Sequence, residues 1–282
     1  MKEKNKLNLC LGGAKKVNNN APIGVFDSGI GGLTVIKELI DLMPKEEYIY
    51  FGDTARMPYG PRSAEQILEF MHEILDFFAE RQVKMAVVAC NTMTALGIEI
   101  ARQRYPFPLV GVNAGVDLAL SVSPSKNIGV IATQATIASG KHARVAQAKD
   151  KEAIVYSQPC PKLVPLIEDE QIEGSQIESA VAEYLLPMKQ AGVEAVILGC
   201  THYPFVSAVI EKVVGKDVFL INPARETAID AYRILQEQDC LSTMKQGKVQ
   251  LCFSADVQQA KKMASYMLDT RKVDFALVNL QK

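Results

Sequence analysis

The sequence predicts an α/β protein of two similar domains, each a parallel sheet flanked by helices, with a functional cleft between them. Three observations carry that prediction. Short apolar runs alternate with longer amphipathic segments. Stretches of the two halves match in the same order. Two of the apolar runs, VVACNT at 87–92 and VILGCTH at 196–202, end on a cysteine followed by small polar residues.

In the first half, 23–26, 48–51, 85–88 and 109–112 read as strands, because continuous apolar runs suit strands covered on both faces. Between them, 32–42 and 64–81 read as helices. In the second of these, Ile67, Met71, Ile74 and Phe78 recur along one helical face. Strand alternating with helix implies a parallel sheet. IGVFDS at 23–28 matches IGVIAT at 128–133, and EYIYFG at 47–52 matches EAIVYS at 152–157, both at an offset of 105. The cysteine strands, opened by Val83-Lys84 and Val193-Glu194, match at an offset of 110. Matches in one order at nearly one offset indicate an internal duplication. The expected layout is a flexible leader over 1–21, a first domain over 22–114, a second over 115–225, and a returning segment over 226–282. That last segment carries helices at 226–238 and 256–268 and a strand at 275–278, and is expected to pack on the first domain.

Composition narrows the function. With 31 Lys plus Arg against 32 Asp plus Glu, there is no basic excess to bind nucleic acid. No apolar run reaches the roughly 20 residues of a membrane span. The leader MKEKNKLNLCLGGAKKVNNN has too short an apolar stretch for a signal peptide, and the same shortness argues against Cys10 as a lipidation site. The expected location is the cytoplasm, where thiols stay reduced. Six cysteines, at 10, 90, 160, 200, 240 and 252, form no Cys-x-x-Cys pair, and the three histidines are isolated, so no metal site is expected.

Ligands of open parallel sheets bind beyond the carboxyl ends of the strands. Asp27, Cys90 and Cys200 all fall there. A thiol can act as base or acid near neutrality, so two thiols on opposite faces of a tetrahedral carbon could invert it, one taking a proton and the other returning one. The usual fate of a cysteine is to be a small buried hydrophobe. Equivalent positions in a duplication, each followed by hydrogen-bonding residues (Asn91-Thr92 and Thr201-His202), favour function for these two. In FDSGIGGLT, 26–34, Asp27 and Ser28 precede a glycine-rich turn that fits either a small carboxylate ligand or a plain tight strand-to-helix turn. It lacks the third glycine of a dinucleotide fingerprint. Tyr59 and Gly60, in MPYG, read as a surface turn. Cys160, Cys240 and Cys252 read as structural.

Taken together, FDSGIGGLT, FGDTARMPYG, ACNT and GCTHYP, in that order between about residue 22 and at least 230, resemble the glutamate racemase family. The resemblance implies a cofactor-independent racemase with its site between two α/β domains. Cys90 and Cys200 would be the proton donor and acceptor pair, Cys90 serving D-glutamate and Cys200 L-glutamate. Asp27, Ser28, Tyr59, Gly60, Asn91, Thr92, Thr201 and His202 would hold the substrate, and Asp27 and His202 would also assist the thiols. Glu168, in CPKLVPLIE, matches an acidic residue near the second thiol. The implied partner is glutamate, without nucleic acid or membrane, with a homodimer as the assembly to consider. The implied role is supply of D-glutamate for bacterial peptidoglycan. Two stretches depart from the pattern: GVNAGVDLA, 111–119, lacks a proline around Asn113-Ala114, and Asn222 stands where Asp is common. An aspartate or hydantoin racemase would use the same paired thiols. A non-catalytic amino-acid binding protein would need none, and a cysteine hydrolase only one.

Overall fold

The computed structural model describes residues 18–280, so Cys10 and most of the leader lie outside the described residues. The end of the leader is held in place. Asn19 Nδ2 donates to Asp239 O at 3.0 Å, and Asn20 Oδ1 accepts from Thr243 N at 3.1 Å.

The first unit runs β1 (Ile23–Asp27), α1 (Leu33–Leu42), β2 (Tyr48–Gly52), α2 (Ala64–Glu80), β3 (Met85–Val88), α3 (Asn91–Leu96), α4 (Ile98–Ala101) and β4 (Leu109–Gly111). Its early strands are buried along their whole length, as their unbroken apolar sequence requires. Helix α2 starts at a capping box: Ser63 Oγ accepts from Gln66 N, and Gln66 Oε1 accepts from Ser63 N, both at 3.3 Å. Ile67, Met71, Ile74 and Phe78 form its buried face.

The second unit follows with α5 (Val116–Val122), β5 (Asn127–Ala132), α6 (Gln134–Ala138), α7 (Lys141–Lys149), β6 (Ile154–Pro159) and α8 (Leu163–Glu168). It closes with α9 (Ser175–Gln190), β7 (Ala195–Gly199), α10 (Ser207–Val214) and β8 (Phe219–Ile221). Its sheet has the order β6-β5-β7-β8, which repeats β2-β1-β3-β4 of the first. All pairings are parallel. The register corrects one sequence match: Ile23 pairs with Tyr48, whereas Ile128 pairs with Val155, so the second strands align at an offset of 107 rather than 105. A two-residue slip leaves every side chain on its proper face, which is why the sequence could not reveal it.

The chain then returns to the first unit through α11 (Ala224–Glu237), β9 (Val249–Phe253), α12 (Val257–Ala264) and β10 (Val273–Leu277). The first sheet is thereby extended to β10-β9-β2-β1-β3-β4. Strand β9 was not foreseen. It lies between β2 and β10, so the last strand meets the first unit only through it. The two crossovers between units sit side by side. Asn113 N donates to Thr227 Oγ1 at 2.9 Å, and Asn113 Nδ2 donates to Asp230 at 2.7 Å. Asn222 Oδ1 accepts from Ala224 N at 3.1 Å as α11 begins.

One apolar cluster runs through both units, from Val25 and Leu33 through Ala228 and Leu235 to Leu163, Val181 and Leu198. At about 1.5–3 kcal/mol for each fully buried large aliphatic side chain, this shared core opposes separation of the units. Among the described residues no helix is long and apolar enough to cross a membrane.

Candidate active site

Both thiols stand one or two residues past the end of a central strand, where the backbone leaves the ladder. Cys90 caps α3, its carbonyl accepting from Thr94 N at 2.9 Å, and Cys200 O accepts from Tyr203 N at 3.1 Å. Both side chains are buried, and both border one cavity of about 310 Å³ between the units. Every residue singled out from the sequence borders it. Asp27, Ser28, Tyr59, Gly60, Cys90, Asn91 and Thr92 come from the first unit, and Glu168, Cys200, Thr201 and His202 from the second. That volume is at the lower end for ligand pockets and suits a small molecule.

The surroundings of the two thiols differ. Near Cys90 lie Ser28, with Oγ 3.9 Å from Sγ, and the carboxyl of Asp27. Burial pushes the Cys90 thiol well above its ordinary pKa, and the Asp27 charge adds to the shift, so Cys90 rests as a protonated thiol. Burial also raises the Asp27 carboxyl, against the pull of His202 and of the Ser28 and Gly32 N–H groups. Beside Cys200, His202 Nδ1 is 3.7 Å from Sγ, and Nε2 is 2.5 Å from Glu168 Oε1. Burial opposes the charged imidazole, but the hydrogen bonds to Cys200 and Glu168 outweigh it and hold its pKa well above the usual value. An imidazolium donating from both nitrogens stabilises negative charge on Cys200.

The glycine-rich turn does something the sequence left open. Ser28 N and Gly32 N donate to the Asp27 carboxylate at 2.7 and 2.6 Å, and Ile30 N donates to Glu168 at 3.4 Å. These amides hold the protein's own carboxylates. Gly29 and Gly31 are needed for close approach: a Cβ at Gly29 would lie 2.5 Å from Glu168 Oε1, and one at Gly31 only 2.4 Å from His202 Nδ1. Thr201 Oγ1 donates to Asp27 at 3.2 Å, and the Thr92 and Thr133 hydroxyls lie 3.0 Å apart, so polar bonds also join the two walls.

Tyr59 is buried at the cavity, not at a surface turn, and its hydroxyl donates to Asp53. Asp53 also accepts from Arg56 Nε at 2.6 Å. Asn91 Nδ2 is buried with no hydrogen-bond partner among the described residues. A buried donor left unpaired costs about 1–3 kcal/mol, which a bound acceptor would remove. Sequence reasoning missed Thr133 and Gln134 in the cavity wall, and it read Cys160, which also borders the cavity, as structural. Thr133 had a signal, since it falls opposite Ser28 in the duplication. Cys160 had none; burial pushes its thiol far up, and its Sγ lies 3.6 Å from Gln158 O. Among the described residues no group of three or more His, Cys, Asp or Glu side chains is placed to hold a metal ion.

Residues 23–229 match the Asp/Glu/Hydantoin racemase family. The chain is 38% identical over 265 residues to a glutamate racemase of Thermoanaerobacter pseudethanolicus, covering 94% of this chain and 99% of that one. Its structure is similar to an isoform of glutamate racemase from Bacillus anthracis, with a TM-score of 0.87, 34% identity, and coverage of 93% of this chain and 99% of the other. It is also similar to glutamate racemase from Francisella tularensis in complex with D-glutamate, at a TM-score of 0.85, 36% identity and the same coverage. Duplicated sheets, opposed thiols and these likenesses agree: the chain belongs to the Asp/Glu/Hydantoin racemase family of amino-acid racemases.

Proposed function

We propose that the protein interconverts L- and D-glutamate by proton transfer between Cα and two opposed thiols. The observation that carries this is the convergence of Cys90 and Cys200, from equivalent strand ends of duplicated units, on one small cavity. Starting from L-glutamate, Cys200 as thiolate takes the α-proton while the His202 imidazolium supports it. Cys90, held as a thiol beside Asp27, then gives its proton to the opposite face of Cα. The turnover ends with Cys200 protonated and Cys90 ionised, and the reverse reaction or exchange with solvent restores the starting state. The carbanion-like state needs donors already in place in a water-poor site, and Asn91 Nδ2, buried without a partner among the described residues, supplies one. Glutamate as the substrate is supported by the relatives, and no cofactor is part of this scheme. On the resemblance alone, we extend the proposal to supply of D-glutamate for peptidoglycan.

The test is incubation of purified protein with L-glutamate in heavy water, without added pyridoxal phosphate or metal. D-glutamate should appear carrying deuterium at Cα from the earliest times, while the remaining L-glutamate is little labelled as long as back-reaction is small. Strong preference for aspartate would overturn the substrate. Early D-product keeping the original hydrogen would overturn the two-thiol step.

A further inference from the structure

The C-terminal segment touches both walls of the cavity, although none of its residues borders it. On the first unit, Ser254 Oγ donates to Asp53 at 2.9 Å and accepts from Ala55 N at 2.9 Å. Thr54 Oγ1 donates to Ala255 O at 2.7 Å and accepts from Ala255 N at 2.9 Å. Asp53 is the acceptor of the Tyr59 hydroxyl, so this stitching fixes the tyrosine wall. One helical turn further on, Gln259 of α12 reaches the second unit and donates from Nε2 to the backbone carbonyl of Glu168, and Lys262 pairs with Glu170.

Glu168 is the last residue of α8, a helix of only six residues. The last carbonyls of a helix have no partner within it, and so short a helix does not hold its own end. The Glu168 carboxylate is in turn the acceptor for His202, which faces Cys200. A chain of contacts therefore leads from Gln259 to the second thiol and bypasses the first.

We propose that Gln259 is a positioning residue for proton transfer at Cys200. Resting on the two-thiol reading above, it acts through Glu168 and His202, with the 254–262 segment as a clasp across the two walls. Loss of its donor leaves the Glu168 end of α8 free to shift, and His202 with it. Misplacement of an acid–base group by a fraction of an ångström slows the step it serves without abolishing it.

The experiment is Gln259→Met, which keeps length and apolar bulk but removes the donor, assayed in both directions with ordinary and Cα-deuterated glutamate. The two directions share one equilibrium, so kcat/KM should fall about equally in both, by about tenfold. Only the Cys200 step is slowed. The isotope effect from L-glutamate, divided by that from D-glutamate, should therefore rise above its wild-type value. Gln259→Lys, which restores a donor at similar reach, should bring rate and ratio back towards wild type. Ser254→Ala, acting on the tyrosine wall, should leave the ratio unchanged. An unchanged rate in Gln259→Met, or a loss of rate with the wild-type isotope ratio, would overturn the proposal. If the wild-type protein itself fails to racemise glutamate, the functional reading falls instead.

Discussion

The Cys90 wall and the Cys200 wall are copies that have diverged. By strand register, Cys90 and Cys200 occupy the same place in their sheets, since Met85 of β3 and Ala195 of β7 both pair with the first matched residue of the neighbouring strand. The next positions differ. Asn91-Thr92 corresponds to Thr201-His202, and Asp27, at the end of β1, corresponds to Ala132 at the end of β5. One wall thus keeps a carboxyl without an imidazole, and the other an imidazole backed by Glu168. Duplication supplies two thiols, one from each unit, that border one cavity. Divergence then gives the two thiols different neighbours, a carboxyl beside Cys90 and an imidazole beside Cys200.

The strongest way to break this comparison is to delete one thiol. Cys90→Ala and Cys200→Ala should each lower racemisation by at least ~10²–10⁴-fold, since every turnover needs both groups. The surviving thiol should still exchange the proton on its own face. In heavy water Cys90→Ala should place deuterium in L-glutamate, and Cys200→Ala should place it in D-glutamate, as read by mass spectrometry after chiral separation. Near wild-type racemisation by a folded Cys90→Ala protein would end the paired-thiol account.

A smaller effect should follow His202→Gln, with turnover lower by roughly 10²-fold. The same variant tests the charge on the Cys200 wall through stability. The folded pKa of His202 lies above its unfolded value of 6.5, so the folded state binds the extra proton over the interval between them. Its contribution is complete below pH 6.5 and is lost as pH rises through the folded pKa. The wild-type Tm should therefore decline from about pH 6.5 upward more steeply than that of His202→Gln. Parallel Tm curves would show that His202 is neutral and that the two walls are less different than proposed.

The smallest effects should come from the remaining buried thiols. Cys240→Ala and Cys252→Ala should leave turnover within about a few-fold of wild type, with stability losses of about 1 kcal/mol each read from chemical denaturation. Cys160→Ala is the sharper case because its thiol borders the cavity on the Cys200 side. Burial keeps it protonated, so it is no rival base, and its removal should also leave the heavy-water labelling pattern unchanged. A changed pattern would place a third thiol in the proton path.

Much of this molecule is set by local chemistry. Unbroken apolar runs make buried parallel strands, the Ser63–Gln66 box and the stripe of Ile67, Met71, Ile74 and Phe78 make α2, and a strand ending in Cys-Asn-Thr or Cys-Thr-His places a thiol where parallel sheets bind ligands. These signals lie within a few residues of one another, and the duplication repeats them, so the sequence by itself determined the two-unit α/β architecture and most of the polar residues around the cavity, though not Thr133 or Gln134. Where β9 inserts, how the glycine turn spends its amides, why Cys160 reaches the cavity, and how Gln259 comes to hold Glu168 were decided only by tertiary structure. Strand β9 is five residues interrupted by Gln250, too short and too mixed to stand out as a pattern. Gln259 and Glu168 lie 91 positions apart, and a single polar contact at that separation leaves no periodic trace in either segment. It exists because packing of α12 against the first sheet carries one amide to the unpartnered end of a short helix, and only the folded chain brings the two together.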